Sequence, residues 1–382
     1  MTAVPSIDLF CRVVDNYGDI GVCWRFAQCL ERDQGCAVRL FVDDFAIFKR
    51  IERDLDETAP LQTLRGITVL HWREDVIAQH YGSPSDAVIE AFACALPDSV
   101  IAAMREAPVP PVWLDLEYLS AEEWVGTHHG IVSPHPATGL DKTLFFPGFT
   151  GQTGGLIREK DLIAQRRAFQ GSRAAQNAWR AAQGLPEQNP HYLDVSLFCY
   201  NDAPIPDLIG ILEQGQRIPR LFVPQGVGFD AMWQALKPPR TEIYRIPFLR
   251  QDDYDRLLWT SDINFVRGED SFVRAIWAAR PMVWQIYPQA EDHHFVKLKA
   301  FLAHYCADLP PECAESLENF MILWNERGRN ITGPMQRIGP DWLETLPRLT
   351  QHAATLAERQ AQQDDLASQV VRFIRQQQTR NT

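Results

Sequence analysis

Val13-Val14-Asp15-Asn16-Tyr17-Gly18-Asp19-Ile20-Gly21-Val22 follows the β-rich run Ile7-Asp8-Leu9-Phe10-Cys11-Arg12 and leads into a helical pattern. Two carboxylates, the second between glycines, therefore sit where a strand gives way to a helix. In open α/β sheets the loop beyond a strand's carboxyl end is where ligands bind. Gly18 and Gly21 permit a sharp turn or a close backbone approach to a ligand. The same residues also suit a plain β-to-α turn with Asp19 as helix cap. Local sequence leaves both readings open.

Working outward, Val22, Phe26, Cys29 and Leu30 share one helical face. Apolar runs at Cys36–Val42, Ile67–Trp72, Ala87–Phe92 and Val112–Leu119 read as further strands, separated by helix-length segments. That alternation implies a parallel sheet with crossover helices. From His128 to Gly155 the pattern is loop-like, and the glycine-rich Gly151–Gly155 is expected to be mobile or functional. A helical segment over about 159–183 precedes Gly184–Pro190, which reads as an interdomain linker. The grammar then restarts. Strands are expected at Tyr192–Tyr200, Pro219–Pro224, Glu242–Pro247, Ile263–Val266 and Met282–Tyr287. From Pro347 onward a long helical pattern places Leu366, Val370, Phe373 and Ile374 on one face. The expected division is a first α/β domain over 1–183, joined by the terminal helix 362–382, and a second over 184–361.

A chain of 382 residues exceeds one ordinary core, which agrees with two domains. The net charge of −12 argues against non-specific nucleic-acid binding and against a polybasic membrane surface. No apolar run reaches the ~18 residues of a membrane span, and the amino terminus lacks the layout of a signal peptide. Eight cysteines occur without a C-x-x-C pair, mostly within apolar runs. A zinc site is not expected, and a reducing cytoplasm is the natural compartment.

The second candidate site is Arg267-Gly268-Glu269-Asp270-Ser271. Its strand–loop–helix context aims the N–H groups of Asp270, Ser271 and Phe272 outward from a helix amino terminus, a ready place for phosphate. Gly268 allows close approach, Ser271 offers a hydroxyl and Arg267 a positive charge. Glu269 and Asp270 would repel a diphosphate, so at least one is expected to accept from sugar or ribose hydroxyls. An ordinary N-cap on a core helix fits the same residues. Aromatic residues near strand ends, Phe198, Tyr200, Phe248, Tyr254 and Tyr287, offer flat partners for a base, although each also suits core packing. The pairs His128-His129 and His293-His294 have no carboxylates at metal-ligand spacing. Gly151–Gly155 lacks the lysine of a P-loop, and no G-x-S-x-G occurs. Asp54-Leu55-Asp56 and Asp253-Tyr254-Asp255 match the D-x-D of metal-dependent sugar transferases, but both lie in charged helix-like stretches.

Asp15-Asn16-Tyr17-Gly18-Asp19-Ile20-Gly21-Val22-x-Trp24-Arg25 and Arg267-Gly268-Glu269-Asp270-Ser271-Phe272-Val273-Arg274-Ala275 together resemble the bacterial EarP family. Trp113–Trp124 and Pro247–Asp255 are similar to two further blocks of it, in the same order along nearly the whole chain. The resemblance implies a GT-B architecture, two Rossmann-like domains facing a central cleft, the first for an acceptor protein and the second for a sugar nucleotide. It implies inverting, metal-independent transfer of rhamnose from dTDP-β-L-rhamnose to an arginine of translation elongation factor P, without cofactor. By motif, Asp19 matches the family's general base and Asp15 its essential neighbour. Gly268, Arg267, Glu269, Asp270 and Ser271 fall in the donor-binding block, with Phe198, Tyr200, Gln251, Tyr254 and Tyr287 as the nucleotide pocket. Two other functions remain compatible with such a scaffold: a sugar-nucleotide epimerase and a nucleotide-sugar-binding protein.

Overall fold

Ile7, Leu9, Phe10 and Cys11 are fully buried, so the first strand, β1 (Ser6–Cys11), has no solvent face. A strand covered on both sides belongs inside a parallel sheet flanked by helices. The computed structural model, which describes residues 4–15, 17–224, 238–326 and 331–380, places it there. Asn16 of the opening motif lies outside the described residues. β2 (Ala37–Val42) and β5 (Ala87–Ala91) flank β1 in parallel. β4 (Ile67–His71) continues beyond β2; β6 (Val112–Leu116) and then β8 (Asp141–Phe145) continue beyond β5. β3 (Leu61–Leu64) and β7 (Val132–Pro134) close the two edges antiparallel. Successive crossovers leave β1 in opposite directions, so the loop after β1 lies at the topological switch point.

The second sheet has the order β11 (Glu242–Ile246), β10 (Ile218–Pro224), β9 (Tyr192–Leu197), β12 (Ile263–Arg267), β13 (Met282–Gln285), all parallel. Its switch point falls between β9 and β12.

The chain divides into two compact units, Met1–Lys160 with Ala361–Thr382 and Asp161–Gln360. The boundary is therefore at 160/161 rather than 183/184. The helices Leu162–Gln170 and Arg173–Ala182 belong to the second unit for a physical reason. Trp179 shares a core with Phe222, Ile246 and Leu257, and the fully buried Arg180 ion-pairs with Asp194 of β9 at 2.7 Å. Gly184–Pro190 is no free linker, since Leu185 enters that same core and the Pro186 carbonyl accepts from Arg180.

Two other expectations need correction. The segment 128–155 contains the β7–β8 hairpin, and its glycine-rich end is pinned: Gly148 N–H donates to the Gly155 carbonyl and Gly154 N–H to that of Phe146. The carboxyl-terminal pattern is two helices, Thr332–Gln360 in the second unit and Leu366–Arg380 in the first. Leu366, Val370 and Ile374 of the latter are buried, and Phe373 meets Phe145 edge-on. Among the described residues no helix is long and apolar enough to cross a membrane.

Candidate active site

The helix Gly18–Gln28 starts just beyond the end of β1, and Asp19 lies in its first turn. Asp19 does not serve as the helix cap; that position is Tyr17, which makes no side-chain capping bond. The Asp19 side chain instead folds back over the loop. Its Oδ2 accepts from the N–H groups of Val14 (2.7 Å) and Asp15 (2.8 Å), and its Oδ1 from the Tyr118 hydroxyl (3.1 Å). Three donors on one buried carboxylate fix its rotamer. Asp15 is buried beside it, and Gly18 makes room for that: a Cβ there would stand 2.7 Å from Asp15 Oδ2. Asp43, at the end of β2, ties the loop from the other side by accepting from Val13 N–H at 2.9 Å.

In the second unit most of the expected donor residues form one connected patch beyond β9 and β12. The Arg267 guanidinium lies over two rings, 4.6 Å from the Phe198 centroid and 4.5 Å from that of Tyr200. Tyr254 packs edge-on against Phe198, and Tyr287 against Tyr200. Gln251 donates to Asp270 Oδ2 at 3.3 Å. Gly268, at φ +60, adopts the left-handed turn that lets the chain enter the helix Asp270–Ala278. Glu269 is the N-cap residue of that helix and makes no side-chain capping bond, so the first-turn N–H groups are not covered by it. Their dipole end favours an anion.

Ser271 differs from expectation. Its hydroxyl donates to the Arg267 carbonyl and accepts from Arg267 N–H, so it staples the turn rather than offering its proton outward. Burial pushes the Tyr254 phenol well above its usual range, so its proton is retained at every ordinary pH.

Three partners escaped the sequence reading. Tyr118 falls within the Trp113–Trp124 block without a role of its own; its distance from Asp19 along the chain hid the contact. Phe92 stacks on Tyr118. Gln285, almost fully buried on β13, accepts from Tyr200 N–H at 2.7 Å and donates to Asp202 at 3.1 Å, setting the aromatic loop after β9. No local signal marks any of the three.

The features discounted in the sequence have structural partners. Asp253 accepts from Trp179 and Arg256, Asp255 forms a buried ion pair with Arg274, and Asp56 caps a turn at Thr58. His129 Nδ1 accepts from Phe146 N–H, and His294 Nδ1 from Gln289 N–H. Among the described residues no three His, Cys, Asp or Glu side chains converge as metal ligands. All eight cysteines are buried free thiols.

Two parallel-sheet, Rossmann-like units, each with polar groups gathered at the switch point of its sheet, make the GT-B fold, and the protein is a glycosyltransferase of that class. A family model described as Elongation-Factor P (EF-P) rhamnosyltransferase EarP matches residues 7–375. The chain belongs to this EarP family. A protein-arginine rhamnosyltransferase of Pseudomonas putida is 44% identical over 382 aligned positions, covering 96% of this chain and 98% of its own. One from Pseudomonas aeruginosa is 43% identical, covering 97% and 99%. The structure of EarP solved to explain arginine glycosylation of translation elongation factor EF-P has a TM-score of 0.66 at 32% identity, covering 97% of this chain and 99% of that one. Spinosyn rhamnosyltransferase SpnG, 14% identical with a TM-score of 0.53, shares the fold.

Proposed function

We propose that the protein is an inverting protein-arginine rhamnosyltransferase that moves L-rhamnose from dTDP-β-L-rhamnose to an arginine of elongation factor P in the cytoplasm. The observation that carries this reading is the identity of 43–44%, over 96–97% of this chain, with proteins named protein-arginine rhamnosyltransferase. The geometry supports a division of labour, with carboxylates in the first unit and a cation-and-amide cradle in the second. A net charge of −12 speaks against a nucleic-acid substrate.

Inversion by a single displacement requires attack on the anomeric carbon from the face opposite the leaving diphosphate. The acceptor is a difficult nucleophile, because guanidinium holds its proton to a pKa above ~12 and delocalises its lone pairs. Asp15 and Asp19 hold the guanidinium, draw its charge away from the attacking nitrogen, and Asp19 takes one proton as the C–N bond forms. The leaving dTDP takes the electrons of the broken C–O bond. Its charge falls to the N–H groups of Asp270, Ser271 and Phe272 and to Arg267, with no metal or other cofactor required; Asp253, Asp255 and Asp56 of the two D-x-D motifs make structural bonds. The base stacks among Phe198, Tyr200, Tyr254 and Tyr287, while Glu269 and Asp270 accept from hydroxyls.

The test incubates the protein with dTDP-rhamnose, with and without elongation factor P, and weighs the products. Gain of one deoxyhexosyl unit on the factor supports transfer. An epimer in the free sugar nucleotide without transfer, or no change at all, overturns it. Asp19→Asn is expected to lose at least ~100-fold in turnover with dTDP affinity unchanged, the usual worth of a general base; near-wild-type turnover refutes the assignment.

A further inference from the structure

Tyr118 stands two residues beyond β6, and its hydroxyl reaches Asp19 Oδ1 at 3.1 Å. Its ring lies flat on Phe92, with centroids 4.3 Å apart and planes 15° from parallel. Phe92 opens an unusual turn after β5. Phe92, Ala93 and Ala95 all have positive φ, at 57°, 50° and 57°. Three non-glycine residues in that region are unfavourable, because each Cβ crowds its own carbonyl. Such conformations persist only where the surroundings impose them. Here they do: Phe92 N–H donates to the Leu116 carbonyl at 2.7 Å, and Ala95 N–H to Glu90 Oε1 at 2.9 Å. Glu90 is itself buried and held by Lys142 Nζ at 3.4 Å. The turn is thereby fixed at both ends, and Phe92 is a rigid seat for the tyrosine ring.

We infer that Tyr118, seated on Phe92, is a positioning residue for Asp19, acting by donating one hydrogen bond to the carboxylate that takes the acceptor's proton. The inference rests on the reading of Asp19 as base. Val14 and Asp15 N–H groups hold Oδ2; among the described residues, only the phenol, from the loop after β6, holds Oδ1. Without it the carboxylate keeps a tether on one oxygen alone, and the direction of its free lone pair is lost. In the transfer step one proton leaves the guanidinium nitrogen for Asp19, and Tyr118 neither gains nor loses one. The titratable groups around Asp19 are Asp15 on its own loop, Tyr118, Asp43 beyond β2, and the thiols of Cys11 and Cys23. Burial pushes the Cys11 thiol far up, so it adds no charge there.

Tyr118→Phe keeps the ring and its stack and removes only the hydroxyl. The kcat and KM for rhamnosyl transfer are measured for wild type, Tyr118→Phe and Asp19→Asn, with dTDP affinity and thermal midpoint as checks. For Tyr118→Phe kcat should fall about tenfold with KM for dTDP-rhamnose, dTDP affinity and thermal midpoint unchanged, the worth of one hydrogen bond to a charged group. A Tyr118→Phe kcat equal to that of wild type, or a fall in kcat accompanied by a matching change in KM or thermal midpoint, overturns the inference while a dead Asp19→Asn leaves the base reading intact. An active Asp19→Asn refutes the base reading itself. Should Tyr118→Phe fold poorly, Phe92→Leu removes the flat seat and is held to the same outcome.

Discussion

Gly18 shows how one missing atom sets the acid pair. The contact a Cβ would make is with the Asp15 carboxylate, 2.7 Å away, and not with rigid backbone. Gly18→Ala is therefore expected to fold, at little cost in thermal midpoint, by pushing the Asp15 carboxylate aside. Displacing a group proposed to hold the guanidinium should lower single-turnover rate by about 10- to 100-fold, because misplacement near 1 Å has that effect. The dTDP affinity, which the proposed donor site assigns to the other unit, should not change. Quenched-flow transfer and calorimetric titration of the same variant check both halves. At this scale the sequence marked Asp15, Asp19 and the Arg267–Ser271 turn as candidates, because they lie in short contiguous motifs. It did not announce Tyr118, Phe92 or Gln285, whose roles arise only when separate strands are laid side by side. It also misread Ser271, since a serine at a helix start looks the same whether its hydroxyl faces outward or staples the backbone.

Among the elements, the helix Asp270–Ala278 carries the proposed anion cradle at one end and a conformational cost at the other. Ala279, which ends it, is left-handed at φ +55, a position where glycine is the common residue. Ala279→Gly should raise unfolding free energy by up to about 1 kcal/mol, by relieving that crowding. Urea unfolding followed by tryptophan fluorescence measures it, and dTDP affinity should be unaltered. The legible elements are those with continuous apolar runs: β1, β9 and β12 are buried on both faces and read as strands without ambiguity. The missed ones lie at or next to the edges of the first sheet. β3 shows one buried residue in four and β7 none, so neither leaves a hydrophobic pattern to detect, and β8, one strand in from β7, buries only Thr143 and Phe145. The helices 162–182 were read correctly as helical and assigned to the wrong unit. Their allegiance is decided by Trp179 and Arg180 finding partners on β9 and β10, which periodicity does not encode.

For the whole molecule, buried histidines link the fold to acidity. His352 is buried on the long helix Thr332–Gln360, and its Nε2–H donates to the Tyr305 carbonyl at 2.7 Å. Burial lowers its pKa below the ordinary 6.5, and burial likewise lowers those of His304 and His129. A histidine that binds its proton less well folded than unfolded adds stability above the unfolded value. That stability is lost as pH falls from 6.5 towards the folded pKa. The urea midpoint should thus decline on acidification below that pH, and decline less steeply in His352→Gln, which keeps a donor for Tyr305 but cannot take up a proton. Equal slopes in the two proteins would show that His352 does not carry the effect.

The return of residues 361–382 to the first unit has a bearing on biosynthesis. The Leu366–Arg380 helix brings Leu366, Val370 and Ile374 into the interior of a lobe whose strands were all translated before the second lobe began. On the ribosome, that earlier lobe must wait with part of its interior uncovered, while the later one, a single uninterrupted stretch, has every residue it needs to complete itself first. Protease digestion of stalled nascent chains, arrested just before and just after this helix emerges, should find the second lobe resistant in both and the first resistant only in the longer.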